Sequence, residues 1–189
     1  MSKGLVITVA VLAVLGVLVL AVVGSLIGFN NTAVRMEAGV KAQYEQNRNN
    51  YDNYWKKLKE IAQVPAMYVD DMKKLWDGVM TGRYGKEGSR AMFQWIQERN
   101  PKLDPSLYRK IQDVVEAGRN SFEADQKMLI DKKREYFDTY LKTFPNSALA
   151  GLLGFPKINP ADYAIVTSEE TEEVFKSKKS KPLKLRDEN

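Results

Sequence analysis

The sequence predicts an all-α protein, with an N-terminal single transmembrane helix followed by an elongated antiparallel helical bundle. Three observations predict it. Residues Leu5 to Phe29 hold 25 positions without a charge, 20 of them apolar. Two later stretches repeat large apolar side chains at steps of four and three or at steps of seven, the spacing of a helix-packing stripe. Proline is absent from both stretches and falls at their ends, where it disfavours helical backbone in the preceding residue.

The first element is the uncharged run, residues 5–29, after a stub at residues 1–4. At about 1.5 Å of rise per residue its helix spans roughly 37 Å, longer than a hydrocarbon core of about 30 Å. A helix satisfies its own backbone polar groups, so lipid accepts it. A cleaved signal peptide would carry an apolar stretch of roughly 7–15 residues and a small-x-small cleavage site. This run is longer and no Ala-x-Ala follows it, so it reads as a retained single-pass anchor. Gly24 and Gly28 lie four apart inside it, a spacing that lets two membrane helices approach closely. They are the candidates for self-association, with a homo-oligomer as the partner. Lys3 stands before the anchor and Arg35, Lys41 and Arg48 after it. By the positive-inside rule the soluble part leans to the cytoplasmic side of a plasma or inner membrane.

After the anchor come 28 basic and 24 acidic residues, a mild balance that selects no partner class,. The chain has no Cys and no His. Disulfides, Cys/His zinc sites and His-assisted nucleophiles are excluded with them. No catalytic residue, cofactor or metal is expected.

A helix continuous with the anchor is predicted to reach Val64-Pro65, with a seam of Val40, Tyr44, Asn47, Tyr51, Tyr54, Leu58 and Ile61. Asn47 interrupts the stripe, and a single polar seam residue can fix register. A shorter helix follows over Ala66 to Met80, with Tyr68, Met72, Leu75 and Val79 on one face. Thr81 to Gly88 holds three glycines and reads as a loop,. Despite Arg83 and Lys86 it lacks the order of a phosphate-binding loop. A brief helix, Ser89 to Arg99, carries Met92, Phe93, Trp95 and Ile96, and Asn100-Pro101 ends it.

Asp104-Pro105 pairs a capping carboxylate with proline at the first helical position. The helix it opens is predicted to run to Phe144-Pro145, with Tyr108, Val115, Phe122, Leu129 and Tyr136 every seven residues and Ile111 and Gly118 beside them. As the antiparallel partner of the first helix, it returns residue 144 to the level where the anchor leaves the bilayer. Phe144 to Phe155 is uncharged. Two readings stand for it: a short helix closing the bundle base, or an interfacial segment whose Phe144, Leu149, Leu152, Leu153 and Phe155 meet lipid. The bundle domain is thus residues 30–166. Residues 167–189, acidic around Glu169 and Glu172 and basic from Lys176 to Arg186, read as a disordered tail. Glu37, Glu45, Asp52, Glu60, Glu116, Glu123 and Asp131 read as a charged exterior. Tyr51, Tyr54, Trp55 and Tyr68 read as packing.

Phe29-Asn30-Asn31-Thr32-Ala33-Val34 and Val40-x-Ala42 resemble the opening, after its anchor, of proteins of the LemA family. Tyr136-Phe137, Tyr140, Phe144-Pro145 and Ala150-Gly151-Leu152-Leu153-Gly154-Phe155 resemble its aromatic helix end, its Phe-Pro and its Leu-Gly-Phe, and Val174-Phe175 its terminal Val-x-Phe. The middle departs from it: Asn50 to Leu58 matches the Arg-x-Asp-Leu-Ile-Pro-Asn-Leu-Val stretch only at Asp52 and one Leu, without the Pro, so the resemblance is to a divergent member. It implies a membrane-anchored long antiparallel bundle and attaches no reaction. The expected function is a non-catalytic membrane scaffold or adaptor that recruits protein partners. The alternative is a lipid-binding or membrane-remodelling protein acting through residues 144–155 and the basic tail. The lipid bilayer is a partner in both, and nucleic acid in neither, because no aromatic interleaves with the basic run.

Overall fold

The structure is a computed structural model that describes residues 3–81, 88–166 and 176–177. All regular structure among the described residues is helical. Helix α1 runs without a break from Lys3 to Ala62, α2 spans Val69–Met80, α3 Gly88–Arg99, α4 Pro105–Lys133 and α5 Asn146–Leu153. The loop motif over residues 82–87, Val174-Phe175 and the tail's acidic and basic runs, Lys176 apart, lie outside the described residues.

The chain divides into two compact units, so the single domain expected over residues 30–166 is shared between them. One joins the chain up to Tyr44 with Leu129–Ala164; the other joins Glu45–Met128 with the segment beginning at Ile165.

In the second unit, α1 and α4 pair in opposite directions. Asn47 Nδ2 donates to the Asp125 carbonyl at 2.9 Å, the Tyr51 and Phe122 rings lie 5.8 Å apart, and Tyr54 packs against Gly118. Numbers rise on one helix as they fall on the other. The core holds Leu58, Met72, Trp76, Met92, Ile96, Ile111 and Val115. Most of these belong to the predicted seams; Trp76 is the addition, a fully buried side chain whose position requires glycine opposite. A Cβ at Gly118 would stand 2.7 Å from Trp76 Cη2 and 3.3 Å from Tyr54 Cβ.

Helix ends follow local chemistry. Gln63 takes a positive φ of 47° and α1 stops at Ala62, slightly before the Val64-Pro65 boundary read from sequence. The terminal carbonyls of Ala62 and Gln63 accept from Asn100 Nδ2, each at 3.2 Å. Asn100 thus closes α1 from a distance, satisfying carbonyls that a helix end leaves open. The stretch read as one helix from Ala66 opens instead as a 3-10 turn, Ala66–Tyr68, with Tyr68 N–H on the Pro65 carbonyl at 2.9 Å. Asp104 caps α4 as its sequence indicates: Oδ1 accepts from Ser106 N–H at 2.8 Å.

The expected α-helix to Phe144 is corrected in the first unit. Regular α-helix stops at Lys133, and Arg134–Tyr140 is a π-helical turn, with Leu141 N–H reaching the Tyr136 carbonyl five residues back at 3.1 Å. The wider turn sets Tyr136, Phe137, Tyr140 and Leu141 into one cluster with Phe29 and Ala33 of α1. π-Helical turns are rare and concentrate at functional positions.

Candidate membrane-proximal site

The candidate site is built around the end of the uncharged run. Among the described residues α1 is the one helix long and apolar enough to cross a membrane. Its large side chains from Leu5 to Ile27 are almost all exposed, and Phe29 is the first buried one. Gly24 and Gly28 have nothing within 4 Å of an added Cβ, so that face is open.

Phe29 is enclosed by residues from over a hundred positions later. Its ring stacks on Tyr140 at 5.5 Å and meets Phe155 edge-on at 5.6 Å, and its carbonyl accepts from Tyr140 Oη at 3.3 Å. Such aromatic pairs add about 0.5–1.5 kcal/mol beyond the area they bury. Phe155 reaches this position through the end of α5. Gly154 adopts a left-handed φ of 68°, and Phe155 N–H bonds the Ala150 carbonyl at 2.9 Å. That is a glycine-terminated helix cap with its accompanying apolar contact. The Leu-Gly-Phe sequence is therefore a device for turning an aromatic back onto α1.

The five predicted interface residues separate. Phe144 and Leu152 are 83% and 72% exposed, Leu149 and Leu153 are half-buried, and Phe155 is buried. The last three pack against the cluster around Phe29.

One turn beyond Ala33 sits Glu37, and here the charged-exterior reading is corrected. Glu37 is buried, and one oxygen, Oε1, accepts from Tyr136 Oη and from the Lys157 N–H, both at 2.7 Å. Burial with this hydrogen bond pushes the Tyr136 hydroxyl well above the usual tyrosine range. Glu45, Asp52, Glu60, Glu116, Glu123 and Asp131 are exposed as expected. Sequence spacing held the signal for Glu37. Stepping back from Val40 by three and then four lands on Glu37 and Ala33, both buried. Asp125, also buried and not singled out in the sequence, continues the Ile111–Gly118 recurrence by seven. Its Oδ2 accepts from Asn50 Nδ2 at 2.9 Å.

In the first unit Lys133 donates to the Pro160 and Tyr163 carbonyls at 2.9 and 2.8 Å. Lys142 pairs with Asp138 at 2.6 Å and holds that carboxyl below its usual range.

In the second unit the aromatic group read as packing includes one polar cluster. Tyr51 donates to Asp77, Lys73 bridges Asp77 and Tyr51, and the Lys73 ammonium lies 4.6 Å from the Tyr51 ring centroid and 5.4 Å from that of Trp55. Burial and the Asp77 contact raise the Tyr51 hydroxyl far above its ordinary value. The cluster is filled by its own lysine. Among the described residues no three carboxylates gather as a metal site.

Comparisons with protein-family models, with curated proteins and with solved structures find no match to this chain.

Proposed function

We propose that this chain is a single-pass membrane protein of the LemA type whose elongated antiparallel bundle serves as a non-catalytic scaffold or adaptor. One observation carries the reading. Exposed apolar helix passes into packed helix at a single boundary, Ile27 to Phe29, with no linker between them. A domain joined that rigidly to a span is held at the bilayer surface, and confinement raises its effective concentration toward partners held there too.

The LemA assignment draws support from convergence. Phe29, Ala33, Tyr136, Phe137, Tyr140, Ala150, Leu153 and Phe155, which carry the resemblance from opposite ends of the chain, lie in one cluster.

The test compares three forms in cells: the full chain, residues 28–189, and residues 28–189 behind an unrelated single-span anchor. The cut precedes Phe29 because Phe29 belongs to the bundle core. The full chain should resist alkaline extraction from membranes and crosslink to a defined set of proteins. That set should be lost with the span and return with the foreign anchor. Failure of the foreign anchor to restore it would show that the span itself recognises the partner and would end the tether-and-scaffold reading.

A further inference from the structure

We propose that α5 and the turn leading into it form a second membrane contact, seated at headgroup level beside the anchor, with Phe144 and Leu152 in the acyl boundary. This rests on the reading of α1 as a transmembrane anchor and adds a surface to it.

Thr143 to Pro156 contains no charge, and Lys142 and Lys157 bracket it. The inward side of this segment, Leu149, Ala150, Leu153 and Phe155, packs against Phe29 and Ala33. Packing therefore fixes the height of α5 on α1 at the point where exposed apolar helix ends. The outward residues Phe144 and Leu152 are held at that height and are among the most exposed large apolar side chains outside the span. A solitary exposed apolar residue needs no explanation. Two on one uncharged segment, fixed beside the end of a bare apolar span, share that span's solvent.

The occupant is a bilayer because, with α1 read as a span, the exposed apolar side chains from Leu5 to Ile27 run in lipid up to this end of the helix. The flanking charges fit a headgroup position. Lys157 lays its ammonium 4.6 Å from the Phe155 ring centroid, and Lys142 pairs with Asp138. Long lysine stems lie along apolar surface while the charge stays at the polar level. Tyr140, half-buried on Phe29, adds an amphipathic ring of the kind enriched at membrane interfaces,.

The absence of cysteine makes the test direct. Single variants Phe144→Cys and Leu152→Cys, with Leu18→Cys in the span and Lys110→Cys on exposed α4, carry a nitroxide label on the full chain. They are reconstituted in phosphatidylcholine vesicles containing phosphatidylglycerol, and label accessibility to oxygen and to a water-soluble nickel chelate is measured. Labels at 144 and 152 should show an oxygen-to-nickel ratio several-fold above that at 110 and below that at 18. A ratio at 144 and 152 equal to that at 110, with 18 still lipid-like, would overturn the second contact and leave the anchor standing. Loss of access to both reagents at 144 and 152 would mean protein covers them and would also overturn it. An aqueous ratio at 18 would remove the anchor and the contact with it.

Discussion

A buried carboxylate with two neutral donors is expensive to disturb, because removing it strands both donors. Glu37→Ala leaves the Tyr136 hydroxyl and the Lys157 amide without their acceptor. Stranding the buried Tyr136 hydroxyl costs about 1–3 kcal/mol, and the part-buried Lys157 amide adds less,. Glu37→Gln keeps a carbonyl oxygen in place and should recover most of that loss, while Tyr136→Phe, which removes one donor, should cost less than the alanine change. Denaturant titration of residues 28–189 by circular dichroism checks the order. Equal losses for alanine and glutamine would mean the hydrogen bonds contribute nothing. Gly118 gives the opposite kind of prediction. Alanine favours a helix interior by about 1 kcal/mol over glycine, but its methyl would sit 2.7 Å from a fully buried tryptophan. Overpacking of a tight core typically costs about 1–3 kcal/mol, so Gly118→Ala should be net destabilising in the same titration. A gain in stability would show that Trp76 can yield.

At the scale of the element, α4 begins where its sequence says and ends where it does not. Asp104 accepts the Ser106 N–H, and that backbone hydrogen bond, first among the causes, lowers its carboxyl below the ordinary value. A lowered folded pKa contributes stability that is present above the unfolded value of about 3.9 and is lost as pH falls through the folded value. Asp104→Ala should therefore lower the thermal midpoint at neutral pH, and the gap between variant and parent should close in acid. A gap that persists below the folded value would assign the effect to helix propensity instead of the cap. The start of α4 was legible because a cap needs only neighbouring residues: Asp, then Pro. Its end was not, because the seven-residue recurrence runs on to Tyr136, inside the π-helical turn, and does not register the change at Lys133. The π-helical turn is set by what Tyr136 and Tyr140 meet on α1, Glu37 and Phe29. The same distinction runs through the site. The seam from Val40 to Ile61 follows from periodicity, while Glu37 lies on its backward extension and was hidden by residue type, since a carboxylate argues for solvent until its donors are known. Asn100 on the end of α1 is likewise a contact of distant residues that no local pattern encodes.

At the scale of the whole molecule, the proposed anchor implies a side of the membrane for the domain that follows it, and the basic residues flanking the span predict which. Translocating a span's flanking segment is opposed by Lys and Arg close to the span, whereas Asp and Glu contribute little. Lys3 and the amino terminus lie on one side; Arg35, Lys41 and Arg48 lie on the other. The three basic residues are carried on α1 itself, 6, 12 and 19 residues past Phe29, within the stretch over which such charges count. The expected outcome is a cytoplasmic bundle. A tag at the Asn189 end should then resist protease in intact cells and be cleaved after permeabilisation. Moving two of the charges, with Arg35→Gln and Lys41→Gln on one side and two lysines added beside Lys3 on the other, should invert that pattern in part of the population. Cleavage of the parent in intact cells would place the bundle outside. Headgroup contact by Phe144 and Leu152 would survive that result, because it depends on apolar burial available in either leaflet, whereas attraction between the basic tail and anionic lipid requires the cytoplasmic one.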